Sequence, residues 1–168
     1  SSGKDELIIV TRNGYALRFK EKEIRPMNRP AMGVIGIRLR EGDQVVGMDI
    51  VEKNGYLLTI TEKGYGKRTD LSAYPGRSRA TMGILTVDKN ALDKIGHIAA
   101  ARVVQPKGDL ITVISAEGTV MRTRAETISQ YNRVAQGVSV MQMREDDVVV
   151  SIARFADQEL EDQQGEPE

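Results

Sequence analysis

Arginine recurs in this chain at fixed distances from glycine, and that pattern is the clearest sign of chemistry in it. Gly14, Gly64 and Gly118 are each followed four residues later by an arginine: Arg18, Arg68 and Arg122. A second series, Arg29, Arg79 and Arg133, stands fifteen residues after the same glycines, and a second glycine (Gly33, Gly83, Gly137) nineteen after them. Planar guanidinium groups repeated at even intervals suit a polyanion, because each can fork onto phosphate oxygens without reading a sequence. A fold constraint repeated in every copy produces the same pattern, with the arginines bridging loop to strand through backbone carbonyls. Basic residues outside the frame answer to no such constraint. Arg12, Lys20, Lys22, Arg25, Lys63, Lys67, Arg77 and Arg124 are therefore the better candidates for an anion-facing rim.

Other chemistry is thinly represented. The chain has no cysteine and one histidine, His97, so neither a thiolate site nor a histidine-based metal site can be assembled. Gly33-Val34-Ile35-Gly36 lacks the Lys-Ser/Thr ending of a phosphate loop, and Asp43 and Asp146-Asp147 read as turn residues ahead of strands. We therefore expect no catalytic residue and no metal ligand here. The framed glycines Gly14, Gly33, Gly64, Gly83, Gly118 and Gly137 read as backbone devices, since glycine alone enters the left-handed region freely.

The formal charge is zero, but it averages two unlike regions. The stretch 156–168 holds six acids and no Lys or Arg, which leaves 24 basic against 18 acidic residues in the remainder. A basic body beside an acidic tail is the asymmetry of a chain that meets a polyanion.

Positioning those cations falls to short β-elements. Each copy opens on an apolar run (Leu7–Val10, Leu57–Ile60, Ile111–Ile114), passes a polar turn ending in the framed glycine, and returns along the strand that carries the first arginine. A polar loop follows, with one apolar plug in register in each copy (Ile24, Tyr74, Ile128). A third strand (Val34–Leu39, Ile84–Val87, Val138–Met143) and a fourth (Gln44–Val51, His97–Val104, Val148–Phe155) complete the copy. The period is 50 residues and then 54, and the extra residues of the middle copy fall in turn-rich sequence. Four short strands per copy predict an all-β, propeller-like repeat. We divide the chain into 1–3 (a cloning scar), repeats at 4–52, 53–105 and 106–155, and a disordered acidic tail at 156–168. No apolar stretch is long enough to cross a membrane, and no signal peptide is expected.

Within this frame, Gly64-Tyr65-Gly66-Lys67-Arg68-Thr69, Tyr74-Pro75 and Ser78-Arg79-Ala80-Thr81-Met82-Gly83 resemble a blade of the C-terminal domain of the DNA gyrase A protein. Gly14 to Arg18 with Arg38 to Asp43, and Gly118 to Arg124 with Gln136-Gly137-Val138, resemble flanking blades. The resemblance implies a β-pinwheel, a disc of about six blades with hairpins exchanged between neighbours, whose basic rim wraps duplex DNA for negative supercoiling. It implies as partners duplex DNA, the remainder of the gyrase A protein and the gyrase B protein, in the bacterial cytoplasm at the nucleoid. ATP and Mg²⁺ would act elsewhere in the parent enzyme, leaving this part without catalysis or cofactor. The related domain of topoisomerase IV is the alternative within the family, and a protein-interaction propeller the alternative outside it. Two departures stand out: the chain has half the family's repeats, and the heptapeptide Gln-Arg-Arg-Gly-Gly-Lys-Gly of the first gyrase blade is absent. Half a disc should leave open strands at Leu7–Val10 and Val148–Phe155, which a homodimer would bury.

Overall fold

The computed structural model describes residues 5–21, 37–76 and 82–156. Each repeat begins with an antiparallel hairpin: β1 (Glu6–Thr11) with β2 (Tyr15–Lys20), β4 (Tyr56–Thr61) with β5 (Tyr65–Asp70), and β8 (Asp109–Ser115) with β9 (Val120–Arg124). One device closes all three turns. The hydroxyls of Thr11, Thr61 and Ser115 accept the backbone N–H of Tyr15, Tyr65 and Thr119 at 3.1, 3.1 and 3.0 Å. The framed glycine closes the same turn through its own N–H, and Gly14, Gly64 and Gly118 have φ of 94, 87 and 87°. A carboxylate braces two of these turns, as Asp43 accepts from Asn13 N–H and Asp147 from Glu117 N–H, both at 3.0 Å. Hydrogen bonding from Ser115 and from the backbone N–H groups of Glu117 and Val148 holds Asp147 below its ordinary pKa.

The remaining strands are β3 (Val45–Ile50), β6 (Ile84–Leu85), β7 (Ile98–Val104), β10 (Val138–Ser139) and β11 (Val149–Ala156). They assemble as β3-β1-β2-β6, β7-β4-β5-β10 and β11-β8-β9. Thus the third strand of a repeat joins the sheet of the repeat before it. Tyr15 and Ala16 pair with Leu85 and Ile84, and Tyr65 and Gly66 with Ser139 and Val138. This is the exchange that defines a pinwheel. The exchanged strands are shorter than the sequence suggests because only two residues run alongside the host strand in each case.

Pairing within the first repeat closes one of the expected edges. Leu7–Val10 belongs to β1, which is hydrogen-bonded on both sides by β2 and β3, so the expectation of an unpaired strand there is wrong. β11 pairs with β8 along its length. Among the described residues, the second strand without an exchanged partner is β9.

Alternation along the strands gives the first and second sheets two apolar faces and the third sheet one, and the sheets stack on them. Ile8, Val10 and Ala16 from one face of the first sheet meet Leu57, Ala101, Val103, Leu71 and Tyr74 of the second repeat. Leu58, Ile60, Ala100 and Val104 on the second sheet's other face meet Ile111, Val113, Ala125, Ile128 and Ile152 of the third. Burying each leucine, isoleucine or valine among them contributes about 1.5–3 kcal/mol. The plugs Tyr74 and Ile128 are buried here, each just after a 3-10 turn (Leu71–Ala73 and Ala125–Thr127), whereas Ile24 lies outside the described residues. The extra residues of the second repeat form a 3-10 turn at Lys89–Ala91 and one helical turn, α1 (Leu92–Ile95), stopped by Gly96 at φ 85°.

Candidate nucleic-acid interface

The framed arginines point into the next repeat. Arg18 on β2 donates from Nη1 to the carbonyl of Leu71 at 3.0 Å and pairs through Nε with Glu6. Arg68 on β5 donates from Nε to the carbonyl of Ile128 at 2.7 Å, and its guanidinium lies 4.8 Å from the centroid of the Tyr56 ring. Both acceptors belong to the 3-10 turn, or its cap, that leads into the next repeat's outer loop. Backbone bonds reinforce the junction: Arg68 N–H donates to Ser129 at 3.1 Å and Tyr131 N–H to Arg68 at 3.0 Å. Arg122 stands in the same register on β9, where no exchanged strand lies alongside among the described residues, and its side chain is exposed.

The second series behaves alike where it is described. Arg133 is half-buried and donates to the carbonyl of Leu85 on β6, linking the third repeat to a strand lodged in the first sheet. Arg29 and Arg79 lie outside the described residues, as do Lys22, Arg25, Arg77 and Gly33. Gly83 and Gly137 have φ of 76 and 81°, and a Cβ on Gly137 would come within 2.6 Å of the Gly66 carbonyl.

The cations outside the frame divide. Lys20 and Arg124 are exposed at the ends of β2 and β9. Lys63 is exposed in the second hairpin turn with Nζ 2.8 Å from the carbonyl of Asp93. Arg12 pairs with Glu62 at 2.9 Å across the first and second turns, with 34% of its side chain exposed. Lys67 does not belong to a rim. It is 2% exposed, and its Nζ donates to the carbonyls of Asn132 and Arg133 at 2.9 and 2.6 Å. The outer loop of the third repeat covers it, and in this frame position the other repeats hold Leu17 and Met121. Comparison of the three copies at that position was the signal available in the sequence.

Sequence reasoning also missed the inner ion pairs. Arg154 on β11 binds Glu52 through both terminal nitrogens, the carbonyl of Val103 through Nη1 at 3.0 Å and Asp109 through Nε at 2.6 Å, joining all three repeats near the inner strands. Arg102 on β7 reaches Asp49 on β3 at 3.3 Å. The Arg154 hydrogen bond holds the Glu52 carboxyl below its ordinary pKa against the opposing effect of burial. Arg40 lies 3.6 Å from the Tyr15 ring centroid and donates to the carbonyl of Met82 at 2.7 Å. Their acceptors are scattered over more than forty residues of sequence, which is why no local motif announces them.

The second strands β2, β5 and β9 lie on the outer side of their sheets, away from the inner strands β3, β7 and β11. Lys20, Arg122 and Arg124 therefore project from the outer half of the first and third sheets, and Lys63 from a hairpin end. Among the described residues, no group of three or more His, Asp or Glu is placed to hold a metal ion, and no helix is long and apolar enough to cross a membrane.

A family model described as the DNA gyrase C-terminal domain, beta-propeller, matches residues 5–52, 55–105 and 109–156, one match to each repeat. The DNA gyrase A protein of Escherichia coli (strain K12) is 40% identical over 157 residues, covering 94% of this chain and 18% of that protein. The DNA gyrase A protein of Staphylococcus aureus (strain MRSA252) is 38% identical over 169 residues, covering 98% of this chain and 19% of that protein. The chain thus spans less than a fifth of these relatives' length. A solved DNA gyrase A C-terminal domain superposes with a TM-score of 0.81 at 32% identity, over 90% of this chain and 51% of that one. The C-terminal domain of DNA topoisomerase IV superposes with a TM-score of 0.82 at 23% identity, over 99% of this chain and 53% of that one, which shows the shared fold.

Proposed function

The chain belongs to the DNA gyrase C-terminal domain family, and from that premise we propose that it binds duplex DNA along its outer cations and guides it for negative supercoiling. The observation that carries this reading is the division of labour among its cations. Arg18, Arg68 and Arg133 are spent on carbonyls of neighbouring repeats, whereas Lys20 and Arg122 stand exposed on the outer strands of the first and third repeats. Strand exchange fixes the repeats to one another, so the exposed cations form a rigid arc. A rigid arc of cations neutralises phosphates without base-reading groups, which is what sequence-independent binding requires.

In this reading the chain does no chemistry itself. ATP hydrolysis, Mg²⁺ binding and strand cleavage belong to other parts of the parent topoisomerase. Its partners are duplex DNA, the remainder of the gyrase A protein and the gyrase B protein, with a second copy of the chain as a further partner through β9. The sequence identity to the gyrase A protein favours gyrase over topoisomerase IV, to which the likeness is one of fold.

Titration of labelled duplexes of unrelated sequence at two or more salt concentrations tests the proposal. Neutralising some three to six phosphates should give a slope of log K against log salt of about −3 to −5, equal for all sequences. A flat salt response, or strong preference for one duplex, contradicts it.

A further inference from the structure

The outer edge of β5 carries two stretches of the third repeat. Val138 and Ser139 of β10 pair with Gly66 and Tyr65. Two residues further along β5, about 7 Å away, Gln130 bridges Arg68 in parallel: the Arg68 N–H donates to the Ser129 carbonyl and the Tyr131 N–H to the Arg68 carbonyl. These stretches form the outermost layer of the second sheet, on the side away from its inner strand β7. Side chains fix them there. Arg68 binds the carbonyl of Ile128, Lys67 those of Asn132 and Arg133, and Arg133 that of Leu85.

What this band shows to solvent is neutral. Tyr131, Val134 and Val138 are 37, 47 and 38% exposed, and Gln130, Asn132 and Ser139 are exposed among them. Residues 127–143 contain no Asp or Glu, in a chain that has 24 acids. Their one cation, Arg133, is half-buried and turned onto Leu85. Just beyond the stretch in sequence stand the exposed Arg122 and Arg144. Freedom from carboxylates suits a polyanion, because a carboxylate there would repel phosphate. A duplex also offers apolar deoxyribose rings between its phosphates, and neutral amides and hydroxyls can bond the phosphate oxygens. A second copy of the chain would gain nothing from the missing carboxylates.

We propose that this band is a second, uncharged kind of duplex contact: Tyr131, Val134 and Val138 pack on the sugars of the duplex, and Gln130 and Asn132 donate to its phosphates. The inference rests on the reading of the chain as a duplex-binding domain and adds residues that charge alone does not point to. Cations such as Arg122 supply the salt-dependent attraction. The band supplies contact that salt does not screen, held ready by the bonds of Lys67, Arg68 and Arg133.

Titration of the intact chain with a labelled duplex over a range of salt concentrations separates the two kinds of contact, because a neutral contact releases no counterions. Tyr131→Ala and Val134→Ser should each weaken binding about fivefold at every salt concentration. The slope of log K against log salt and the melting temperature should stay those of the parent. Gln130→Glu, which sets a carboxylate against the phosphates, should weaken binding most at low salt. Should one of these variants lower the melting temperature, the others decide. Parental affinity in Tyr131→Ala and Val134→Ser, in a chain that does bind duplex, overturns this inference and leaves the duplex-binding reading standing. Parental affinity together with lost self-association in sedimentation would assign the band to a second copy instead. An unsubstituted chain that binds no duplex overturns both.

Discussion

Arg68 donates its Nε to the carbonyl of Ile128, sixty residues further along the chain and in the next repeat, at 2.7 Å. The bond closes a junction in which the Arg68 backbone also pairs with Ser129 and Tyr131, so one residue holds the outer loop of the third repeat by main chain and side chain together. Arg68→Ala removes the carbonyl's charged donor and the contact with Tyr56, and should destabilise the chain by about 1–3 kcal/mol. Thermal unfolding checks this, and a melting temperature within a degree or so of the parent would show that the junction does not depend on the side chain.

The Glu52 carboxyl is held below its ordinary pKa chiefly by its hydrogen bond to Arg154. A carboxyl with a depressed folded pKa contributes stability that is present above its unfolded value and lost as pH falls through the folded one. Stability should therefore decline on acidification below about pH 4.5. Glu52→Gln should be less stable at pH 7 and show a shallower decline. Equal melting profiles for the two chains from pH 7 to pH 3 would mean that the pair contributes nothing.

Two turn glycines with the same φ of 87° separate strain from close approach. A Cβ on Gly64 would come within 2.1 Å of the Met141 carbonyl oxygen, while one on Gly118 meets nothing within 4 Å. Gly118→Ala should cost about 1 kcal/mol for the left-handed backbone. Gly64→Ala should cost several times that, because the third repeat must shift to admit the methyl group. Denaturant unfolding of both variants checks the ratio, and equal losses would rule out the close approach.

The repeat frame, the hairpins and the roles of the turn residues were legible in the sequence because they are local. Thr11, Thr61 and Ser115 precede their glycines by three residues, and the hydrogen bonds they make span four. What was not legible depends on partners in another repeat. Arg18 and Arg68 have acceptors 53 and 60 residues away, so spacing alone left contact with an anion and contact with a carbonyl equally open. Leu7–Val10 was misjudged as an open edge because the fourth strand of its own repeat, β3, returns to pair along its far side. Lys67 was misjudged because charge was weighed ahead of its frame position, which Leu17 and Met121 fill in the other repeats.

The outer edge of β9, which hosts no exchanged strand among the described residues, carries Val120 at 49% exposure, with Arg122 and Arg124 further along. Free strand edges of this kind pair with other chains. We expect concentration-dependent self-association of the chain through β9, and a shift to monomer in Val120→Lys. Sedimentation over a wide concentration range tests this, and a constant monomer mass for the unsubstituted chain contradicts it.

The central claim is that framed arginines bonded to a neighbouring repeat build the arc, while exposed cations meet DNA. Arg68 and Arg122 share one frame position and differ in having that neighbour, so the salt dependence of duplex binding by Arg68→Gln and Arg122→Gln compares the two roles directly. The account predicts that Arg122→Gln flattens the slope of log K against log salt by about one unit without lowering the melting temperature, and that Arg68→Gln lowers the melting temperature and leaves the slope unchanged. An unchanged slope in Arg122→Gln, together with a flattened slope in Arg68→Gln, would contradict it.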